Sequence, residues 1–112
     1  MIIDPNTFER FNAVLTGVIV PRPIAFVSTV SPDGEVNLAP YSFFNAVSYS
    51  HVVFSSSRHV GNKSKDTLRN IEETGQFVVN IVVDPIADAM NATAAEYPEG
   101  VDEFEIAGLT HA

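Results

Sequence analysis

Residues 23–41, Pro-Ile-Ala-Phe-Val-Ser-Thr-Val-Ser-Pro-Asp-Gly-Glu-Val-Asn-Leu-Ala-Pro-Tyr, decide how this chain of 112 residues folds. Residues 23–31 mix apolar and hydroxyl side chains and include β-branched Ile24, Val27, Thr29 and Val30, a composition that suits a pleated strand. Ser31-Pro32-Asp33-Gly34 then places Pro and Gly at the second and fourth positions of a type I turn. Residues 35–39 are the returning strand of a hairpin. Working outward, residues 17–20 are expected to open the sheet, 51–57 (HVVFSSS) to form a third strand and 76–83 (QFVVNIVV) a fourth, the most apolar of them.

Helix signals alternate with these strands. Ser64 is the expected N-cap of a helix over KDTLRNIEET, with Leu68 and Ile71 facing the core and Gly75 as the stop. Asp84 caps a second helix with Pro85 at its first position, running through IADAMNATAAE. A third short helix is expected after Asp102, ending near Gly108. Antiparallel strands with two or three helices predict a mainly β, α+β architecture rather than a doubly wound parallel sheet. A closed or partly open barrel is the expected solution, since closure removes exposed edges. Four or five strands rarely close a barrel, so further chain or a partner is expected to supply the missing edges.

Composition narrows function. Length fits one domain, and an apolar content of 46% fits a globular chain. Cysteine is absent, which excludes disulfides and thiolate metal sites. The apolar run 77–83 contains Asn80 and is far shorter than a bilayer span. The start, MIIDPNTFER, lacks the basic and apolar parts of a secretory signal. A soluble, cytoplasmic protein with no membrane attachment is therefore expected. The net charge of −8 opposes nucleic-acid binding, which needs clustered Lys and Arg.

The basic residues are unevenly placed. Arg58, Lys63, Lys65 and Arg69 are four of the six, with only Asp66 among them, and no Lys or Arg follows residue 84. Ser55, Ser56, Ser57 and Arg58 leave a strand and lead through HVGNKS to Lys65, Asp66 and Thr67. Free N–H groups at a helix start, with hydroxyls and cations, suit a phosphate monoester. Ordinary helix capping beside a polar turn explains the same residues. In a second segment, residues 37–45, Asn37, Leu38, Ala39, Pro40, Tyr41 and Ser42 precede Phe43 and Phe44. Small and aromatic residues there can form a slot for a planar heteroaromatic ring, or can simply be core. Of Ser28 and Thr29, one must face inward and needs a hydrogen-bond partner.

Other chemistries lack their patterns. There is no GxGxxG, GNKS lacks P-loop spacing, and no HExxH or nucleophile elbow occurs. His51, His59 and His111 share no metal-ligand spacing, so no metal and no catalytic side chain is assigned. Asp102, Glu103 and Glu105 read as a solvated face.

With these motifs in order, RPIAFVSTVSPDGEVNLAPYSFFNAVS, FSSSR, KDTLRNIEETGQFVVNIV and AMNATAAEYPEGVDEFEIAGLT, the sequence resembles the flavin reductase-like, FMN-binding split-barrel family over most of residues 20–110. The resemblance implies an antiparallel Greek-key split β-barrel of six strands with flanking helices, working as a homodimer with flavin near the subunit interface. It implies that residues 37–42 lie against the isoalloxazine ring and that Ser28 and Thr29 stand close to the flavin. It assigns the phosphate to Ser55, Ser57, Arg58, Lys65, Asp66 and Thr67, with Arg22 as a further candidate. It also implies an oxidoreductase using FMN or FAD, reduced by NAD(P)H as a transient co-substrate, with an oxygenase among its possible acceptors. An FMN-binding electron carrier or flavin store without nicotinamide turnover is the alternative, and an inactive barrel fragment a third reading. Two features depart from the family: the run before FSSS is shortened, with His51 at the junction, and the family domain continues past GLT. Residues 1–112 are thus expected to be a single FMN-binding split-barrel domain lacking the family's C-terminal strands.

Overall fold

The computed structural model describes residues 2–56, 59–60, 63–98 and 100–111. The chain begins with helix α1 (Phe11–Val18), where residues 17–20 were expected to open the sheet. Phe11, Val14, Leu15 and Val18 recur at helical spacing and set that outcome. The hairpin follows as β1 (Ala25–Val30) and β2 (Val36–Tyr41), and its turn is as read. Gly34 N–H donates to the Ser31 carbonyl at 3.0 Å, and Gly34 adopts φ +90°, a conformation that favours glycine. A second hairpin, β3 (Phe44–Ser48) and β4 (His51–Phe54), includes a strand that the sequence reading took only for slot or core. β4 stops at Phe54, short of the expected Ser57.

Two-residue strands β5 (His59–Val60) and β6 (Lys63–Ser64) precede helix α2 (Asp66–Thr74). Ser64 therefore ends a strand, and Lys65 occupies the N-cap position. Gly75 stops α2 in the left-handed region, as expected. β7 (Val78–Ile81) comes next, then a 3-10 turn (Asp84–Ile86) with Pro85 in its first turn, helix α3 (Ala87–Ala92) and helix α4 (Glu103–Ala107). α3 ends at Ala92 rather than near Glu96. α4 starts as read: the Asp102 carboxylate accepts from Phe104 N–H at 2.8 Å.

β1 is the middle of a three-stranded antiparallel sheet ordered β2-β1-β7. It is therefore buried on both faces, and alternate residues serve two cores. Ala25 and Val27 join Tyr41, with Phe44, Phe54 and Val79 packed around them. Phe26 joins Leu38 and Phe104, covered by Ile86, Met90 and Leu109 from the C-terminal helical region. The pairs β3-β4 and β5-β6 form separate two-stranded sheets. Among the described residues the three sheets do not join into a closed barrel. Pro40 is accommodated within β2 because that strand is an edge.

The buried face of α2 is polar. Thr67 and Asn70 are its buried residues, whereas Leu68 and Ile71, expected to face the core, are only half-buried. The reason lies in what α2 meets: Thr29 and Asn37, paired across β1 and β2, present polar groups that Thr67 and Asn70 satisfy.

Candidate functional site

A cleft of roughly 330 Å³ lies between the end of β2, the start of α2 and the segment after α3. β2 contributes Asn37, Ala39, Pro40 and Tyr41, and α2 with its N-cap contributes Lys65, Asp66, Thr67 and Arg69. Thr93, Glu96, Tyr97 and Glu103 face it from the C-terminal segment. Its volume is at the lower end of small-molecule sites.

The start of α2, like those of α1 and α3, has no side-chain cap. Lys65 has extended backbone at the N-cap and makes no capping bond, and the first helical bond runs from Arg69 N–H to the Lys65 carbonyl. The N–H groups of Asp66, Thr67 and Leu68 thus have no acceptor within the helix. Such donors, with the helix dipole, favour an anion. The Lys65 ammonium lies 5.7 Å from the centroid of the Tyr41 ring. Asp66 opposes an anion, but Arg69 pairs with it at 2.9 Å. The Tyr41 hydroxyl is buried and has no hydrogen-bond partner among the described residues.

Behind the cleft wall runs a buried amide–hydroxyl network. Asn37 Nδ2 donates to Thr67 Oγ1 at 2.8 Å and to Thr29 Oγ1 at 3.4 Å. Asn70 Nδ2 donates to the same Thr29 oxygen at 3.1 Å. Three elements, β1, β2 and α2, are thereby tied together beside the cleft.

Glu103 corrects the sequence reading of a solvated acidic face. It is 8% exposed, and its Oε2 accepts from Leu38 N–H at 3.1 Å. β2 is an edge strand, so that N–H points away from β1 and would otherwise lack a partner. Burial pushes the Glu103 carboxyl above the usual carboxylate range, with the charges of Asp66 and Asp102 adding to the effect. The hydrogen bonds from Leu38 and from its own backbone oppose it. Asp102 caps α4, and Glu105 is exposed.

Of the residues singled out in the sequence, the cleft unites Asn37, Ala39, Pro40, Tyr41, Lys65, Asp66 and Thr67. Leu38 is core, 1% exposed. Ser28 and Thr29 project from opposite faces of β1. Thr29 is the inward one, satisfied by Asn37 and Asn70, while Ser28 accepts from Asn80 Nδ2 at 3.3 Å. Both border a second cavity of roughly 780 Å³ near β7 and Phe104. Ser42 lies in the link between β2 and β3, and Ser55 N–H extends the second hairpin by donating to the Phe43 carbonyl at 2.9 Å. Ser57 and Arg58 lie outside the described residues. The Arg22 guanidinium, a further anion candidate, instead donates to the carbonyls of Thr16 and Ile19 at the end of α1, 2.8 and 2.9 Å away, and stacks over Phe43.

Sequence reasoning missed Glu103, Thr93 and Tyr97. The Asp102 cap and Gly108 stop located α4, but only packing against β2 turns Glu103 inward. Thr93 bonds the Met90 carbonyl at 2.8 Å, a local helix-end contact with no sequence signature of a site.

The domain is thus an antiparallel α+β fold with a polar cleft at the start of α2. The chain belongs to the flavin reductase-like family, whose model, described as "Flavin reductase like domain", matches residues 17–112. An uncharacterized protein from Aquifex aeolicus is 46% identical over 111 residues, covering 97% of this chain and 57% of its own length. The crystal structure of nitrilotriacetate monooxygenase component B from Bacillus cereus aligns with a TM-score of 0.83 at 42% identity, covering 98% of this chain and 56% of that one. Pseudomonas fluorescens 2-nitrobenzoate 2-nitroreductase aligns with a TM-score of 0.78 at 33% identity, covering 96% and 52%. A Shewanella frigidimarina protein with a split barrel domain shares the fold, at a TM-score of 0.68 and 22% identity. The chain thus spans little more than half the length of these relatives. No helix among the described residues is long and apolar enough to cross a membrane.

Proposed function

We propose that this chain is part of a flavin-dependent oxidoreductase of the NAD(P)H:flavin reductase type, with FMN held in the β2–α2 cleft. The observation that carries this reading is the uncapped start of α2 beside Lys65, opening into a cleft walled by Ala39, Pro40 and Tyr41. The residues fit the cofactor: a phosphate monoester suits the free N–H groups and Lys65, and a flat ring suits the small and aromatic wall. In this reading Arg58, Ser55 and Ser57 add to the phosphate end, whereas Thr29 supports the cleft wall through Asn37 and Ser28 faces away from it. Flavin, when bound, supplies hydride acceptance and release. The chain's own part is to orient the ring, neutralise the ester and exclude water. Among the described residues none stands out as an obligatory acid or base, so no catalytic side chain is named. FMN is preferred to FAD because the anion end of this reading suits a terminal phosphate monoester, which FMN carries and FAD does not.

Barrel closure belongs to the same proposal, supported by the split barrel domain of the Shewanella frigidimarina neighbour and by the greater length of the relatives; the homodimer is proposed from the family resemblance alone. An oxygenase is the proposed acceptor class, suggested by the name of the Bacillus cereus neighbour. Absorbance of the purified protein tests flavin binding directly. Anaerobic bleaching by NADH or NADPH is the expected result, and bound flavin that neither nucleotide reduces would establish a carrier instead.

A further inference from the structure

Glu103 puts a buried carboxylate on the wall of a cleft read as an anion site. We propose that Glu103 couples entry of an anionic ligand to uptake of a proton, so that the cleft binds its phosphate ester together with protonation of this side chain. The inference rests on the phosphate-ester reading above and adds a regulation to it.

The geometry gives three reasons. First, Glu103 is 8% exposed and borders the same cleft as Lys65, Asp66 and Thr67. A second negative charge brought into that cleft therefore meets a carboxylate poorly screened by water, and like charges in one site push a proton onto one of them. Second, protonation leaves the fold intact. Oε2 accepts from Leu38 N–H, and a proton on the other oxygen keeps that acceptor in place. Third, the surroundings do not neutralise Glu103 beforehand. From α2, Asp66 repels it and is itself paired with Arg69 at 2.9 Å, while the Lys65 ammonium leans on the Tyr41 ring. β2 offers no ionised group, only Tyr41. α3 brings Asp88, which is exposed, and its following segment brings Glu96 and Tyr97. On its own helix, Asp102 adds a second repulsion, and His111 stacks on the neighbouring Phe104. The Glu103 carboxyl already binds its proton more tightly than an ordinary carboxylate, chiefly through burial.

A phosphate monoester has its own ionisation near pH 6 and tends to release a proton on meeting cations, the opposite sign. The experiment therefore compares two proteins binding one ligand. Calorimetric titration of FMN at about pH 6, in buffers of different ionisation enthalpy, counts protons exchanged by the wild type and by Glu103→Gln. The wild type is expected to take up more, by a sizeable fraction of one proton, and riboflavin, which has no ester, is expected to show a much smaller difference. Equal proton exchange by both proteins overturns the coupling while leaving FMN binding intact. Failure to bind FMN, visible as no heat and no quenching of flavin fluorescence, overturns the coupling and the flavin reading together. Should Glu103→Gln not fold, carboxyl NMR of the wild type serves: the Glu103 midpoint must rise on addition of FMN, and an unmoved midpoint overturns the proposal.

Discussion

At the residue scale, Asn37 has two tasks that a single amide can combine. Its Nδ2 donates to Thr67 and Thr29, and its side chain is also part of the cleft wall. Asn70 reaches only Thr29 in this network, and its Oδ1 is enclosed without a partner among the described residues. A net hydrogen bond contributes about 0.5–1.5 kcal/mol, but a stranded buried donor or acceptor costs about 1–3. Asn37→Ala removes the donor to Thr67 and one donor to Thr29. It should therefore lower the melting temperature more than Asn70→Ala, which also deletes an unsatisfied oxygen. Thermal denaturation of both variants decides the order, and the reverse ranking would discredit the network as drawn. Lys65 is the corresponding residue for ligand affinity. Lys65→Ala should weaken FMN by about 10- to 100-fold, the equivalent of about 1.5–3 kcal/mol for a charge-assisted contact, and riboflavin far less. Equal loss for both flavins in a fluorescence titration would refute the phosphate assignment.

Elements act here mainly through how their ends are finished. α4 is only five residues long, yet its first residue seals the exposed edge of β2 by accepting from Leu38 N–H. Pro40, two residues on, offers no N–H at all, so this edge is blunted twice. Sealing an edge with a desolvated carboxylate links stability to pH. The folded-state proton affinity of Glu103 is raised, so its stabilising contribution is complete below the unfolded carboxylate value and is lost as pH rises through the folded one. Glu103→Gln keeps an acceptor for Leu38 and removes the charge. Its melting temperature relative to the wild type should therefore climb as pH rises from the ordinary carboxylate range through the raised folded-state value, with about 4–8 °C expected per kcal/mol of linkage. A parallel pH profile for both proteins would rule the linkage out.

For the whole molecule, the distribution of apolar surface matters most. Val47, Val52 and Val53 on the second hairpin are 64%, 50% and 49% exposed, and Val78 and Ile81 on β7 are 59% and 67% exposed. Neither residues 36–57 nor residues 76–83 contain Asp, Glu, Lys or Arg. An isolated two-stranded hairpin is marginal in water, and β7 is an unblunted edge. Chains carrying a net charge of −8 can approach one another most cheaply where no charge lies. The 112-residue chain is therefore expected to sediment as a dimer or larger species. A Val52→Lys, Ile81→Lys double variant should shift it toward monomer with the far-UV spectrum retained. A wild type that is monomeric at tens of micromolar (about the range of a weak protein contact) would count against this surface as an interface.

The chain's own order of residues was enough to determine the β1–β2 hairpin, the glycine stops after α2 and α4, the Asp102 cap and the flavin reductase-like family. Each is a local or linear signal: a turn needs Pro and Gly at fixed offsets, and a cap needs its acceptor two residues away. Helix α1 was also legible in its apolar spacing, although residues 17–20 were read as strand. Only the tertiary structure decided that Thr67 and Asn70, rather than Leu68 and Ile71, are the buried residues of α2, or that Glu103 turns inward. Those outcomes depend on what a neighbouring element presents. A carboxylate sixty-five positions from the amide it caps leaves no periodic trace in sequence, because the bond forms across an edge that exists only once β1 and β2 have paired.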